Sequence, residues 1–317
     1  VYYTFYDMGI DYINTDRPEV CAGFFDDFGN KNFQIGQRRT AVGGVTGTKR
    51  LDKTTRDFRG FQNDKLQLTE GVDVYTPTYR NDGGKGKVKN VIYLIGDGMG
   101  LSQIVAAFYA NKGLTTLQMK YMGLQQNNAL DAFTTDSAAG GSALATGERH
   151  DNRHISMSSE GEPYPSLSDF FHDKGMPVGV LTLGNVADAT PTAFYGHSVE
   201  RDNANELTRC LMDGRVDLLC GSGIREFTRR SDGVDLIGEL KKQYDFVRSV
   251  DEINARKGKV ICIDETMDDA AEQANLTLLA DATKASIAKL QERGGKGFFL
   301  MVEGAKIDYA CLLYTSD

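Results

Sequence analysis

The sequence of 317 residues is poor in the features that mark membrane and nucleic-acid-binding proteins. It contains no uninterrupted apolar run of about 18 residues or more, so we expect no membrane span. Acidic side chains outnumber basic ones by 44 to 36, and the resulting net charge of −8 argues against a nucleic-acid partner. Tryptophan is absent, which excludes no class of protein.

Cysteine is also scarce. The five cysteines, at positions 21, 210, 220, 262 and 311, form no CxxC motif. Cys210 and Cys220 could pair across a short loop in an oxidising compartment, and an odd total leaves at least one thiol over. The alternative is that the cysteines are small buried hydrophobic residues.

What the sequence does contain, from residue 91 onward, is an alternation of apolar runs and helix-like stretches. The predicted strands are 91–95, 177–183, 216–221, 259–263 and 297–302, and the predicted helices are 101–113, 166–175, 233–243 and 280–295. This alternation predicts an α/β fold with a doubly wound, mostly parallel sheet flanked by helices. Residues 29–88 are polar and glycine-rich, which predicts a linker or irregular extension before a domain at 89–317.

The first candidate for chemistry is Asp97, which follows the first apolar run in "LIGDGMG". Ligand sites in such sheets gather at the carboxyl ends of strands. Because the glycines stand at positions 96, 98 and 100, the GxGxxG pattern of a dinucleotide site is not met. The alternative role for Asp97 is a turn residue that caps the next helix.

The second candidate is Ser137, which begins a helix of small residues in "TTDSAAGGSALATG". Free N–H groups at a helix start favour an anion such as phosphate, so Ser137 is a candidate nucleophile. The alternative is an N-cap formed by Asp136 or Ser137. The sequence offers no GxSxG motif and no histidine next to Ser137, so metal coordination is the remaining route to its activation.

Further polar side chains follow two later strands. Asp188, Thr190 and Arg201 lie after the strand at 177–183, and Arg201 could bind phosphate oxygens through two hydrogen bonds. Glu303 and Asp308 follow the strand at 297–302, and their carboxylates suit a cation that prefers oxygen ligands. The alternatives are helix capping for the acids and a solvated surface side chain for Arg201.

Four motifs in this order resemble the alkaline phosphatase family: "NVIYLIGDGMG", "TTDSAAGGSALATG", "DATPTAFYGH" with a following arginine, and "GFFLMVEGAKIDYA". The resemblance implies hydrolysis of phosphate monoesters through a phosphoserine intermediate, with two zinc ions (Zn2+) and one magnesium ion (Mg2+). It implies that Ser137 is phosphorylated and activated by zinc, and that Arg201 binds the phosphate. The implied metal ligands are Asp97 bridging zinc and magnesium, Asp188 (through water), Thr190 and Glu303 at magnesium, and Asp308 at the other zinc.

The family pattern breaks after Ala310. The family continues with Gly-His, whereas this chain reads "CLLYTSD", with Leu312 where a zinc-binding histidine is expected. The later Asp-His pair and a further histidine are missing as well. We therefore expect a C-terminally incomplete chain that binds zinc poorly and is inactive as written, with the magnesium set of Asp97, Thr190 and Glu303 more complete.

The amino end has a second resemblance. "FYDMGIDYINTDRPEVCAGFF" (residues 5–25) is similar to the last strand and helix of glycerophosphodiester phosphodiesterase barrels. It predicts that residues 1–28 are the remnant of a preceding diesterase domain. The alternative is an ordinary strand and helix of the chain's own extension.

These observations leave three functional hypotheses. The first is a metal-dependent phosphomonoesterase acting on small phosphate monoesters, glycerol 3-phosphate among them. The second is a catalytically dead domain that binds phosphate or metal, and the third is another hydrolase of the same superfamily, such as a phosphodiesterase. The resemblance also predicts a homodimer in a periplasmic or extracellular location, with a signal peptide outside the chain.

Overall fold

The structure, a computed structural model, describes residues 88–111, 113–119, 123–268, 277–293 and 295–309. These residues divide between two compact units, of which one includes Gly100–Met119 and the other holds the sheet. The predictions for residues 1–28 and 29–87 and for the segment from Cys311 onward lie outside the described residues. Among the described residues, no helix is both long enough and apolar enough to cross a membrane.

The sheet is parallel throughout the described residues. Its six strands lie in the order β1-β6-β2-β3-β5-β4. The strands are β1 (Val91–Gly96), β2 (Val178–Asn185), β3 (Leu218–Ser222), β4 (Tyr244–Val247), β5 (Lys259–Ile263) and β6 (Phe299–Gly304). Because both faces of a parallel sheet are covered, its inner strands are nearly continuous apolar runs, and this is the signal by which the sequence predicted them.

Five of the six strands confirm the sequence prediction within two residues, and β4 was missed. Its sequence, "YDFV", is short and carries a charged residue, and it pairs with β5 alone at the edge of the sheet. An edge strand needs less apolar surface than an inner one, so its sequence carries a weaker signal.

The helices of the sheet-containing unit lie between successive strands along the chain. They are α2 (Ser137–Thr146), α3 (Leu167–Asp173), α4 (Ala189–Thr192), α5 (Ala204–Arg209), α6 (Arg225–Thr228), α7 (Leu236–Leu240) and α8 (Leu278–Arg293). Four of them (α2, α3, α5 and α7) begin at a residue whose side chain accepts a hydrogen bond from the first turn. Short 3-10 helices span Cys210–Asp213, Val250–Ala255 and Glu265–Met267. The predicted helix 233–243 is shortened to α7, which begins where Asp235 caps the backbone N–H of Gly238.

The other unit contributes α1 (Leu101–Asn111) and a 3-10 helix at Thr115–Gln118 to the described residues. The helix predicted at 101–113, with Gly113 as its stop, is confirmed as α1. The backbone N–H of Gly113 donates to Phe108 O at 3.1 Å, which is consistent with a glycine after the helix end.

The core of the sheet-containing unit lies on both faces of the sheet. One face packs against the small residues of α2 and α4, and the other against α8. Cys220 and Cys262 are neighbours on β3 and β5 and are fully buried, as expected for small hydrophobic residues. Cys210 and Cys220 are both free thiols, so the alternative of a disulfide between them is wrong.

Candidate active site

Three neighbouring strands bring the predicted site residues to one edge of the sheet. In the order β1-β6-β2, the strand β6 lies between the other two, and Ile95 and Thr182 are both register partners of Glu303. Asp97 follows β1 and Asp188 follows β2. The carboxyl ends of parallel strands meet at one edge, so acids that are far apart in sequence converge.

Ser137 is the first residue of α2, and its hydroxyl points at Asp97. The Ser137 Oγ donates to the Asp97 carboxylate, at 3.0 Å from Oδ2 and 3.3 Å from Oδ1. The serine is half-buried, so its hydroxyl is accessible to a ligand. This geometry places the candidate nucleophile at a helix N-terminus, where the free backbone N–H groups favour an anion.

Asp136, not Ser137, is the N-cap of α2, and its carboxylate has three donors. Its Oδ1 accepts from the backbone N–H of Ala139 at 2.9 Å. Its Oδ2 accepts from Arg201 Nη1 at 3.1 Å and from the backbone N–H of Arg153 at 3.1 Å. The capping carboxylate therefore also holds the candidate phosphate-binding arginine beside the start of the helix.

Glu303 is the most deeply buried acid of the site, with an exposed fraction of 2%. Its pKa is raised to about 7, chiefly by burial and in part by the negative charges of Asp97 and Asp188. Hydrogen bonds from the hydroxyls of Thr182 and Thr190 oppose that shift, and Thr182 Oγ1 lies 2.5 Å from Glu303 Oε2. A buried carboxylate flanked by two others is an arrangement that a cation would stabilise.

Asp188 is half-buried, and this partial burial raises its pKa, while a hydrogen bond from Tyr309 and the charge of Arg201 lower it. The Tyr309 hydroxyl donates to Asp188 Oδ2 at 2.9 Å. Partial burial of Asp308 raises its own pKa, and the negative charge of Asp97 raises it too.

Gly98 allows Asp308 to lie next to the loop after β1. A Cβ atom at Gly98 would lie 2.8 Å from the Cα of Asp308, and Gly98 has a φ of +61°. Both the close approach and the left-handed backbone therefore require glycine at this position. The segment carrying Asp97 and the segment carrying Asp308 can meet only because a side chain is absent there.

The donor atoms fit magnesium better than zinc. Asp97, Asp188, Thr190 and Glu303 offer carboxylate and hydroxyl oxygens, which are the ligands that magnesium prefers. Within the described ranges, no three histidine, cysteine or acidic side chains form a group that could hold an ion by themselves. A site built from these residues would thus need the threonine hydroxyl or water to complete it.

Zinc usually needs imidazole or thiolate ligands, and these residues do not supply them. Two of the four histidines are bonded to other groups, and His150 hydrogen-bonds through its two ring nitrogens to Met157 O and Thr146 Oγ1. His197 Nε2 is bonded to Tyr164 O. Because the described residues contain no group of three histidine, cysteine or acidic side chains that could hold an ion, they do not fit a catalytic zinc site on their own, and we derive no step through zinc.

Sequence reasoning did not assign site roles to Arg153, Thr182 or Tyr309. Thr182 lies inside a buried strand and Tyr309 directly follows Asp308, and both contact a predicted site acid. A polar side chain in the apolar run "PVGVLTL" was an available signal for Thr182. No local pattern pointed to Arg153 or Tyr309, because their partners are distant in sequence.

Comparison with known proteins gives one consistent family. A sequence model described as alkaline phosphatase matches residues 88–312. Alkaline phosphatase 4 of Bacillus subtilis (strain 168) is 31% identical over 247 residues, which cover 71% of this chain and 53% of the relative. Streptomycin-6-phosphate phosphatase of Streptomyces griseus is 30% identical over 308 residues, covering 77% of this chain and 68% of the relative.

Solved structures give the same result. The alkaline phosphatase of the Antarctic bacterium TAB5 has a TM-score of 0.67 at 28% identity, with 72% of this chain and 68% of that chain covered. A mutant of that enzyme with magnesium bound has a TM-score of 0.66 at 29% identity, over 70% of this chain and 66% of that chain. The chain spans about half the length of the B. subtilis relatives that it matches.

Proposed function

The chain belongs to the alkaline phosphatase family, and from that premise we propose that it hydrolyses phosphate monoesters through a phosphoserine at Ser137. The observation that carries the proposal is the hydrogen bond between Ser137 Oγ and Asp97 at the N-terminus of α2, with Arg201 held beside it by Asp136. A nucleophile, an anion-binding helix start and a guanidinium thus meet at one place. Phosphoryl transfer depends on this kind of positioning and charge neutralisation.

In the proposed reaction, Ser137 Oγ gives up its proton to water and forms a bond to phosphorus, while the bond between phosphorus and the alcohol oxygen breaks and that oxygen takes up a proton from water. Asp97 accepts the hydrogen bond of the serine hydroxyl and orients its oxygen toward the phosphate. Water then cleaves the phosphoserine, which releases inorganic phosphate and restores the hydroxyl. Arg201 neutralises charge on the non-bridging phosphate oxygens in both steps.

We propose that Asp97, Thr190 and Glu303 hold a magnesium ion directly and that Asp188 holds it through water. When bound, divalent metal supplies positive charge that lowers the pKa of a nearby hydroxyl and balances charge on phosphate. Tyr309 and Thr182 keep Asp188 and Glu303 in place through their hydroxyl hydrogen bonds. Asp308 as a zinc ligand and the pair of zinc ions stay predictions of the family resemblance.

The test is hydrolysis of p-nitrophenyl phosphate by the full-length gene product, compared with its Ser137→Ala variant. We expect hydrolysis to fall by about three orders of magnitude or more, because nucleophilic catalysis is lost while binding remains. The control is Ser231→Ala, which removes an exposed hydroxyl that bonds to Asn205. Retention of the wild-type rate by Ser137→Ala would show that another group is the nucleophile.

Acid quenching during turnover, followed by mass spectrometry, locates the phosphorylated residue. We expect phosphate on Ser137. If phosphate binds but neither turnover nor a phosphoserine is found, the chain is a catalytically dead phosphate-binding domain. Cleavage of diesters but not monoesters would instead indicate a phosphodiesterase.

We expect the site to bind the phosphate group of the substrate and to leave the alcohol in solvent. A relative named as a streptomycin-6-phosphate phosphatase is consistent with substrates that have a bulky alcohol. Glycerol 3-phosphate as the substrate, the homodimer and the periplasmic or extracellular location stay predictions.

A further inference from the structure

Arg153 has an unusual backbone for its residue type. Its φ is +70°, in the left-handed region, and only one other described non-glycine residue, Ser156, has a positive φ. Arginine rarely adopts this conformation because its Cβ meets the neighbouring peptide, and such strain persists only where surrounding contacts offset it. The contacts of Arg153 therefore indicate what the strained turn achieves.

The first of these contacts is made by the backbone. The N–H of Arg153 donates to Asp136 Oδ2 at 3.1 Å, and this oxygen also accepts from Arg201 Nη1 at 3.1 Å. The turn is held in place by Asn152, whose Oδ1 accepts from the backbone N–H of Asp136 at 2.8 Å. The left-handed turn thus aims one peptide N–H at the carboxylate that holds Arg201.

The side chain makes the second set of contacts. Its guanidinium bonds to both oxygens of Glu200, with Nε at 3.0 Å from Oε2 and Nη2 at 2.5 Å from Oε1. Nη2 also contacts the carboxylate of Asp202. Glu200 and Asp202 are the residues immediately before and after Arg201, so Arg153 binds both sides of the residue that carries the candidate phosphate-binding group.

The two segments are also joined through their backbones. Ile155 and Ser198 form an antiparallel bridge, in which Ile155 N lies 2.7 Å from Ser198 O and Ser198 N lies 3.1 Å from Ile155 O. The segment at 152–155 and the segment at 198–202 are thus already adjacent. Arg153 adds side-chain contacts that fix the end of the second segment nearest the site.

The exposure of these groups limits what the contacts can do for overall stability. The side chains of Arg153 and Glu200 are 48% and 44% exposed, and an exposed ion pair contributes little to folding. Bidentate geometry, however, restricts direction as well as distance. The effect of the network is therefore expected on the orientation of Arg201 rather than on the unfolding of the chain.

We propose that Arg153 is a positioning residue that holds Arg201 in its phosphate-binding orientation, through its backbone N–H to Asp136 and its guanidinium to Glu200 and Asp202. The inference rests on the proposed function, because it gives Arg201 the role of binding phosphate. Arg153 acts through another residue and need not touch the substrate.

The test is a double-mutant cycle in the full-length gene product, with inorganic phosphate as the probe. The variants are Arg153→Gly, Arg201→Ala and the two combined, and the measured quantity is the inhibition constant of phosphate. Glycine accepts the left-handed backbone without strain, so Arg153→Gly removes the guanidinium contacts without a penalty for φ. The matched control is Arg215→Ala, a partly exposed arginine that bonds to Asp169 and Asp173.

We expect Arg153→Gly to weaken phosphate inhibition about tenfold, a size typical of coupled neighbouring residues, while the denaturant midpoint stays within error of wild type or rises. In the Arg201→Ala background the same substitution should have no further effect. The control should leave phosphate inhibition unchanged. A purely structural role would lower the midpoint and would not depend on Arg201.

Two results would overturn the inference: unchanged phosphate inhibition in Arg153→Gly, or additive losses in the double variant. The failure of the proposed function has a different signature, since phosphate inhibition would then be insensitive to Arg201→Ala and turnover insensitive to Ser137→Ala. If Arg153→Gly does not accumulate as folded protein, Glu200→Gln removes the bidentate contact from the other side and is measured in the same cycle.

Discussion

At the scale of single residues, the pKa of Glu200 is the quantity most directly affected by the contacts of Arg153. Hydrogen bonds from Arg153 lower its pKa to about 2, and the backbone N–H of Asp202 contributes to that shift. A lowered pKa means that the folded state favours the ionised carboxylate. Because both side chains are about half exposed, the resulting stabilisation is small; it is present above the ordinary pKa of glutamate, about 4.5, and is lost as the pH falls through about 2.

We predict that Arg153→Gly returns the pKa of Glu200 toward its ordinary value. The reason is that the variant removes the strongest donor to that carboxylate and leaves the Asp202 N–H in place. A carbon-detected NMR titration of the Glu200 carboxyl group measures the change. The carboxyl signal of Glu162, an exposed glutamate, serves as the internal reference. An unshifted Glu200 would mean that the guanidinium is not its partner in solution.

At the scale of elements, the small residues of α2 have different tasks on different faces of the helix. A Cβ atom at Gly141 would lie 3.2 Å from the Cα of Thr190 on α4, closer than ordinary side-chain contacts. At Gly140 the nearest atom is Thr135 Oγ1 at 3.5 Å, which is an ordinary contact. The small residues after Ser137 thus let α2 approach the backbone of Thr190, which is a proposed metal ligand.

We predict different stabilities for alanine at these two neighbouring glycines. Gly140→Ala should raise the free energy of unfolding by about 0.5–1 kcal/mol, because alanine loses less backbone entropy in a helix. Gly141→Ala should be less stable than Gly140→Ala by roughly 1 kcal/mol or more, because its methyl group displaces Thr190. Urea denaturation gives both values, and equal stability of the two variants would contradict the packing argument.

A second feature at the scale of elements is an ion pair at the amino ends of the strands, opposite the candidate active site. The Asp217 carboxylate accepts from the backbone N–H of Val178 at 3.0 Å and pairs with Arg293 at 3.2 Å. It thereby ties the start of β2 to the end of α8. Contacts of this kind keep the strands in register, so that the acids at their other ends meet.

At the scale of the whole molecule, the strand order concentrates negative charge at one edge of the sheet. Asp97 and Asp188 both raise the pKa of the buried Glu303, and Asp97 also raises that of Asp308. Such repulsion destabilises the folded chain at neutral pH, and a bound cation would relieve it.

We predict that magnesium raises the unfolding midpoint of the chain at neutral pH and that chelation reverses the effect. At a concentration of about 100 times the dissociation constant, the gain is about 2.7 kcal/mol. Glu303→Gln should remove most of this gain, whereas Glu292→Gln, on the exposed side of α8, should keep it. The measurement is thermal unfolding with and without magnesium, and an equal gain in both variants would place the bound ion elsewhere.

The sequence by itself determined the strands, the acids that follow them and the start of α2. These depend on local patterns: continuous apolar runs predict buried strands, and small or capping residues predict helix ends. The four motifs also indicated the alkaline phosphatase family, and the comparisons confirm it. Among the strands of the described residues, only β4 was not predicted, because a short edge strand has little apolar signal.

The tertiary structure alone decided how the side chains meet. Arg201 and Asp136 are 65 residues apart in sequence, and Tyr309 and Asp188 are 121 apart. No local pattern encodes such pairs, because they depend on the order in which the strands lie in the sheet. Placing β6 between β1 and β2 brings the acids together, and a left-handed turn at Arg153 directs its backbone at Asp136. Contacts of that kind form only once the whole sheet has folded.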